Sequence, residues 1–278
     1  MSNIIRADLY RIVRDKAFII LIIIACIMAF LYPAFSGALS AITKLEIANP
    51  YGLTVSALQP FSNFGLLCAI FIMIIINKDY SSGTVRNKVI MGKSRGEIFL
   101  AEFVVTLILV LSLILSYAAL TFIFSCVTLG KYIAIEHIET FFIAIGLEIL
   151  GWVTITCFIV FFLKAFKGLG GAIVVYVAIG LLLVAAGSIF TLITALSSKD
   201  PVASNVYHFF QNINVIHGMT TLIPSQVSPI YSALTDPSSM AFAGFDPEFL
   251  LEYIFSAVVF SSGALALGYV IFNKRDLK

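Results

Sequence analysis

Gly92-Lys93-Ser94 lies within Val85–Phe99, the most charged stretch of an otherwise apolar chain. The triplet matches the end of the P-loop pattern G-x-x-x-x-G-K-[ST], in which glycine backbones wrap the phosphates of a nucleotide. The pattern's first glycine is missing, because Asn87 stands five residues before Gly92. The context is also wrong, since a P-loop follows a buried strand and the apolar run Leu66–Ile76 reads as part of a membrane span. No second domain is present in the sequence to supply a sheet or a magnesium-holding acid, so this chain is expected to bind neither ATP nor Mg itself.

The other residues that could do chemistry are sparse. His137, His208 and His217 lack the partner spacing of a zinc site. The four cysteines, Cys26, Cys68, Cys126 and Cys157, sit inside apolar runs, where they behave as small hydrophobes. No serine has a histidine and an acid placed to activate it, so no catalytic residue and no metal site is expected and the chain is not read as an enzyme. Three polar residues stand out because they fall within apolar segments: Glu148, Gln59 and Asn63. Gln59 and Asn63 are one helical turn apart on one face, either lining a path or packing helices. Glu148 lies roughly 12 Å below the outer boundary of its segment at 1.5 Å per residue. An intramembrane carboxylate is a functional candidate by default. For Glu148 the readings are path lining, proton coupling, or a neutral or hydrogen-bonded group near Ser116 or Tyr117.

These residues are carried by membrane-spanning elements. Of the 278 residues 60% are hydrophobic and only 12% charged, with a mean hydropathy of +1.06, against about 25% charged in an average soluble domain. A hydrocarbon core of about 30 Å takes roughly 20 helical residues. Six segments qualify: 17–35, 58–76, 103–127, 140–163, 168–196 and 250–272. The first follows a basic stretch and precedes Ser36-Gly37-Ala38-Leu39-Ser40-Ala41, as a signal peptide would, but its apolar run is too long for one. The expected fold is therefore an all-α membrane protein in one transmembrane domain, 1–278.

Charge sets the orientation. With six spans, the N-terminus, the loop 77–102, residues 164–167 and the C-terminal tail share one side. Fourteen of the seventeen Lys and Arg fall there, all but Lys44, Lys131 and Lys199. The positive-inside rule then makes both termini cytoplasmic. Residues 1–16 read as an interfacial helix, with Ile5, Leu9, Ile12 and Val13 on one face and Arg6, Arg11 and Arg14 around the rest, attracted to anionic lipid. The largest outer segment, 197–249, holds five of the eight prolines, and its patch Val206–Phe210 suggests a return toward the membrane. Ala264 with Gly268, and Gly168, Gly170 and Gly171, are small residues suited to close helix approach.

The charged loop encodes its own shape. Gly83 can end the second span in a left-handed cap, and Thr84 can then cap a short helix, Val85–Met91, that stops at Gly92. Ser94-Arg95-Gly96-Glu97 has the S-x-x-E spacing of a capping box opening a further helix. The result is a stiff elbow presenting Arg86, Asn87, Lys88, Lys93 and Arg95. Helix caps and the positive-inside rule would account for such a loop without any further role.

The order Asp79-Tyr80, Gly83-Thr84, Arg86, Gly92, Ser94-Arg95, with a third span just beyond, resembles the inner loop of ABC type-2 export permeases. The whole layout is similar: an interfacial helix, six spans, both termini inside and the longest outer segment between the fifth and sixth. The chain departs from that family at Glu102, where a basic residue is common. The resemblance implies that the loop is a coupling helix docked on a separate ATPase subunit that binds ATP and Mg. It implies that Thr84, Val85, Arg86, Asn87, Lys88, Val89 and Ile90 make the contact, and that the chain works with a second permease chain, a copy or a relative. It implies export across a cell membrane, with a bacterial origin.

An apolar outer segment and a sparsely polar path suit an amphipathic or hydrophobic cargo such as a peptide, a bacteriocin-type antibiotic or a lipid-linked molecule. Membrane lipids are expected partners and nucleic acid is not. The alternative is a stand-alone membrane immunity or scaffold protein that binds lipid or peptide without ATP.

Overall fold

The computed structural model describes residues 2–43, 68–129, 138–166, 168–196, 209–210, 212–222 and 247–274. Every regular element among these residues is helical, with no strand. In chain order they are α1 (Ser2–Val13), α2 (Lys16–Thr43), α3 (68–81), α4 (Thr84–Ile90), α5 (Arg95–Leu129), α6 (Ile138–Ala165), α7 (Leu169–Leu196), α8 (Val215–His217) with a π-helical turn at Gly218–Leu222, and α9 (Pro247–Lys274).

Four stretches among the described residues are long and apolar enough to cross a membrane: Arg95–Thr121, Phe142–Ala165, Leu169–Ile189 and Pro247–Lys274. They correspond to the third to sixth expected segments. The first segment falls in α2, whose apolar stretch Lys16–Leu31 is shorter, and the second is described only from residue 68 onward. Several helices overrun the apolar segments. α5 begins at Arg95 rather than 103, because a helix starts at its cap and hydropathy registers only its apolar part. Gln59, Asn63, His137 and His208, like most of the outer segment, lie outside the described residues.

Helix directions follow from contacts along their lengths. Asp15, just before α2, meets Lys78 near the end of α3, which joins the start of one helix to the end of the other. Phe30, midway along α2, packs edge-on against Phe124, late in α5. The longest seam joins α6 to α9, which run parallel. Tyr253 donates to the Leu147 carbonyl near the start of both helices, Ser261 bonds Thr154 midway at 3.0 Å, and the Lys164 ammonium lies 4.8 Å from the Phe272 ring centre at the far end. Ala257, Ala264 and Gly268 are the small residues that let this seam close. A Cβ on Gly268 would stand 3.5 Å from the Phe161 backbone, so the Ala264–Gly268 pair packs as its spacing implies. Gly168 and Gly170 face open space and Gly171 approaches only Phe166. The start of α7 is therefore not a close helix crossing.

The described part of the outer segment does return to the bundle. Val215 and Met219 are buried, and Asn214 donates to the Leu183 carbonyl of α7 at 2.6 Å. Asn212 bonds Glu252 of α9 at 2.9 Å. Phe209 and Phe210, by contrast, are exposed and pack edge-on to each other.

Candidate functional site

The elbow between α3 and α5 is built by two glycines. Gly83 has φ 71° and Gly92 φ 79°, the left-handed conformation that glycine adopts without a Cβ penalty. Past Ile90, the Gly92 N–H bonds the Val89 carbonyl at 2.9 Å and the Lys93 N–H bonds the Lys88 carbonyl at 3.2 Å. This pair of bonds is a Schellman stop, so α4 has a defined end. The start differs from expectation. Gly83 itself occupies the cap position with no side-chain cap bond, and Thr84 is the first helical residue, its hydroxyl 2.8 Å from that of Ser82. The connection from α3 is too short to place an extended residue before α4, so Thr84 cannot act as its cap. The next helix opens as its spacing implies, with the Glu97 N–H donating to the Ser94 hydroxyl at 3.2 Å.

α4 divides into two faces. Val85 and Lys88 are buried and Val89 partly so. Arg86 and Asn87 are exposed, as are Ile90 (72%) and Met91 (70%). Val85 packs with Ile98, Phe99, Val160 and Phe272, tying α4 to the ends of α5, α6 and α9. Lys88 corrects the sequence reading. Instead of facing solvent it donates to both oxygens of Asp8 in α1, at 2.9 and 2.7 Å, with Asp79 of α3 at 3.8 Å. Arg11 of α1 pairs with the same Asp79. Arg95 is also not a free surface charge: its guanidinium bonds the Asn273 carbonyl at 2.7 Å, where a cation suits the C-terminal end of α9.

The stripe on α1 is set by these pairs. Ile4, Asp8 and Ile12, spaced at i, i+4 and i+8, form the buried face, with Ile5 and Leu9 partly buried beside it. Val13, expected on the buried side, is exposed together with Tyr10, and the Arg14 guanidinium lies 4.2 Å from the Tyr10 ring centre. The apolar face of α1 thus packs on protein, because Lys88 requires Asp8 to face inward. At the α1–α2 turn, Asp15 caps α2 by accepting the Ala17 N–H at 2.8 Å and receives Lys78 at 2.6 and 2.7 Å. Partial burial works against the charge of Asp15. The bonds from Lys78 and the Ala17 N–H, with the nearby charges of Lys78 and Arg11, outweigh it, and the carboxyl sits below its ordinary value of 3.8.

A second pair lies deeper at the same end. Lys164 of α6, 1% exposed, contacts both oxygens of Glu102 in α5 at 2.6 and 2.5 Å. Tyr80 of α3 donates its hydroxyl to Glu102 at 2.7 Å, and the Lys164 ammonium stands 4.2 Å from the Tyr80 ring centre. Glu102 therefore takes its counter-charge from α6. Nothing in sequence spacing links positions 102 and 164. A buried acid inside the α1 stripe, by contrast, is a signal that could have found Asp8. The ends of α3, α5, α6 and α9, with α1 and α4, are thus gathered by charge at one end of the bundle. These are segments that the count of basic residues assigned to one side.

Glu148 stands about 24 Å along α6 from Lys164, at 1.5 Å per residue. It is 0% exposed, and neither carboxylate oxygen has a hydrogen-bond partner among the described residues. Of its two suggested neighbours, Ser116 is exposed on α5 and Tyr117 is buried, and neither bonds it. One turn on, Trp152 is 1% exposed and its indole Nε1 is also unpartnered. Tyr253 of α9 lies within electrostatic range of Glu148 and is wedged where a Cβ at Gly151 or Gly218 would collide with it. No group of three or more histidine, cysteine or acidic residues suited to a metal occurs among the described residues. Comparison of the chain with models of known protein families and with curated proteins finds no match.

Proposed function

We propose that this protein is the transmembrane permease subunit of an ATP-driven exporter of the ABC type-2 kind, with six spans, both termini cytoplasmic and its home in a bacterial cell membrane. A separate ATPase subunit binds ATP and Mg and does the hydrolysis, and a second permease chain completes the path. The observation that carries this reading is the short helix α4, closed by glycines at both ends and pinned by Val85 and Lys88 while Arg86, Asn87, Ile90 and Met91 face outward. A displacement applied to the outer face reaches α1 through Asp8, and α5, α6 and α9 through the Val85 cluster, without being absorbed by a slack loop. Nucleotide binding moves the bundle only if the partner binds its conformations with different affinity.

Of the seven contact residues read from sequence, Arg86, Asn87 and Ile90 make the partner-facing surface, joined by Met91. Val85 and Lys88 act as anchors behind it, with Thr84 and Val89 at its margin. Glu148 belongs to the path, together with Gln59 and Asn63, and the cargo is amphipathic. Co-expression with a candidate ABC ATPase tests the assignment. Arg86→Glu with Ile90→Asp is expected to abolish copurification and ATPase stimulation while the permease still folds. Full retention of both would remove α4 as the coupling site. Labelling of Lys93→Cys from the cytoplasmic side only is expected, and labelling from outside would overturn the orientation.

A further inference from the structure

We infer that Glu148 and Trp152 form the recognition point for the cationic head of an amphiphilic cargo, and that the apolar cavity one turn further along α6 receives its alkyl tail. This rests on the translocation role proposed for Glu148. Two independent polar groups, a carboxylate and an indole N–H, are sealed one turn apart on α6 with no hydrogen-bond partner. Native interiors rarely leave such groups unmatched, and each one calls for an explanation. A carboxyl in this setting is stable either as the neutral acid or when matched by a cation. Only the second makes use of its charge, and Tyr253, which lies within its electrostatic range, is a phenol that supplies none.

The tail site is independent of the head site. A cavity of about 270 Å³ lies between α6, α7, α8 and α9, lined by Ile155, Phe158, Leu183, Val215 and Phe260 among others. Ile155 lies seven residues beyond Glu148, on nearly the same face and about 10 Å along the axis. Glu148, Gly151 and Ile155 follow the helical repeat that faces α9 and the returning outer segment, as the contacts of Gly151 with Tyr253 and Met219 indicate. An acid at one end of a face and an apolar chamber at the other match a molecule with an ammonium head and an alkyl chain long enough to cover about 10 Å and enter the chamber.

Trp152 is the only tryptophan in the chain, so its fluorescence reports on this site alone. The experiment titrates the full-length protein in lipid nanodiscs with dodecylammonium, using dodecanol as the uncharged control. The expected result is a saturable change with the ammonium, at an affinity about tenfold or more above that for dodecanol. Glu148→Gln is expected to bring the two ligands level, and Glu148→Asp to restore part of the difference. Equal response to both ligands in the wild type overturns the inference, as does an unchanged preference in Glu148→Gln. If Glu148→Gln fails to fold, the wild-type comparison alone decides. The readout needs no ATPase, so a failure here leaves the exporter assignment to its own copurification test.

Discussion

Removing the ammonium of Lys164 should strand a buried acid. Lys164→Met leaves the Glu102 carboxylate with the Tyr80 hydroxyl, in a position where Lys164 now lies 2.5 Å from one of its oxygens. Side-chain exposure is 0% for Lys164 and 8% for Glu102, so water replaces little of the lost contact. Breaking one side of such a pair costs about 3–5 kcal/mol. The placement of Lys164 over Tyr80 and Phe272 adds to the loss by about 0.5–2 kcal/mol. Glu102→Leu alone should be similarly harmful, because it leaves the lysine unmatched. The double variant Glu102→Leu with Lys164→Met should lie within about 2 kcal/mol of wild type, since apolar replacement of a whole buried pair is often neutral. The coupling between the two sites is then at least about 4 kcal/mol, well above the error of additivity. Reversible unfolding in mixed micelles, followed by circular dichroism, measures it. Single variants costing under about 1 kcal/mol each, with a double equal to their sum, would refute the claim that this pair holds α5 to α6.

Two further outcomes follow from the same end of the bundle. Asp15 has its folded carboxyl below the usual 3.8, so its contribution is complete above that value and lost as pH falls through the folded one. Asp15→Asn should therefore be less stable than wild type at pH 7, and the gap should close in unfolding curves taken under strongly acid conditions. Gly83→Val forces a β-branched residue to φ 71° with open space around it, so only backbone strain is added. The expected cost is about 1–3 kcal/mol, read as faster hydrogen exchange over α4 with little change in α6.

What was legible in the residues was local or cumulative. The apolar runs mark the four long helices, because length and hydropathy are properties of contiguous segments. The Gly83 and Gly92 turns and the Ser94 cap were readable because each involves residues within five positions of one another. The grouping of basic segments at one end was also readable, since it is a count rather than a contact. The α4 residues were identified as a set but not by face. Lys88 looks like any surface lysine until Asp8, eighty positions away, is folded beside it.

Glu148 was visible as an acid within an apolar run, whereas its lack of any partner depends on how α6 and α9 are packed around it. The sequence by itself determined a chain of long apolar helices, four of them long and apolar enough to cross a membrane, with a capped, cationic elbow. Only the tertiary structure decided which charges are spent inside the protein and which remain exposed. The reason is physical: an ion pair between distant positions leaves no periodicity in the chain, and it forms only where folding removes both groups from water.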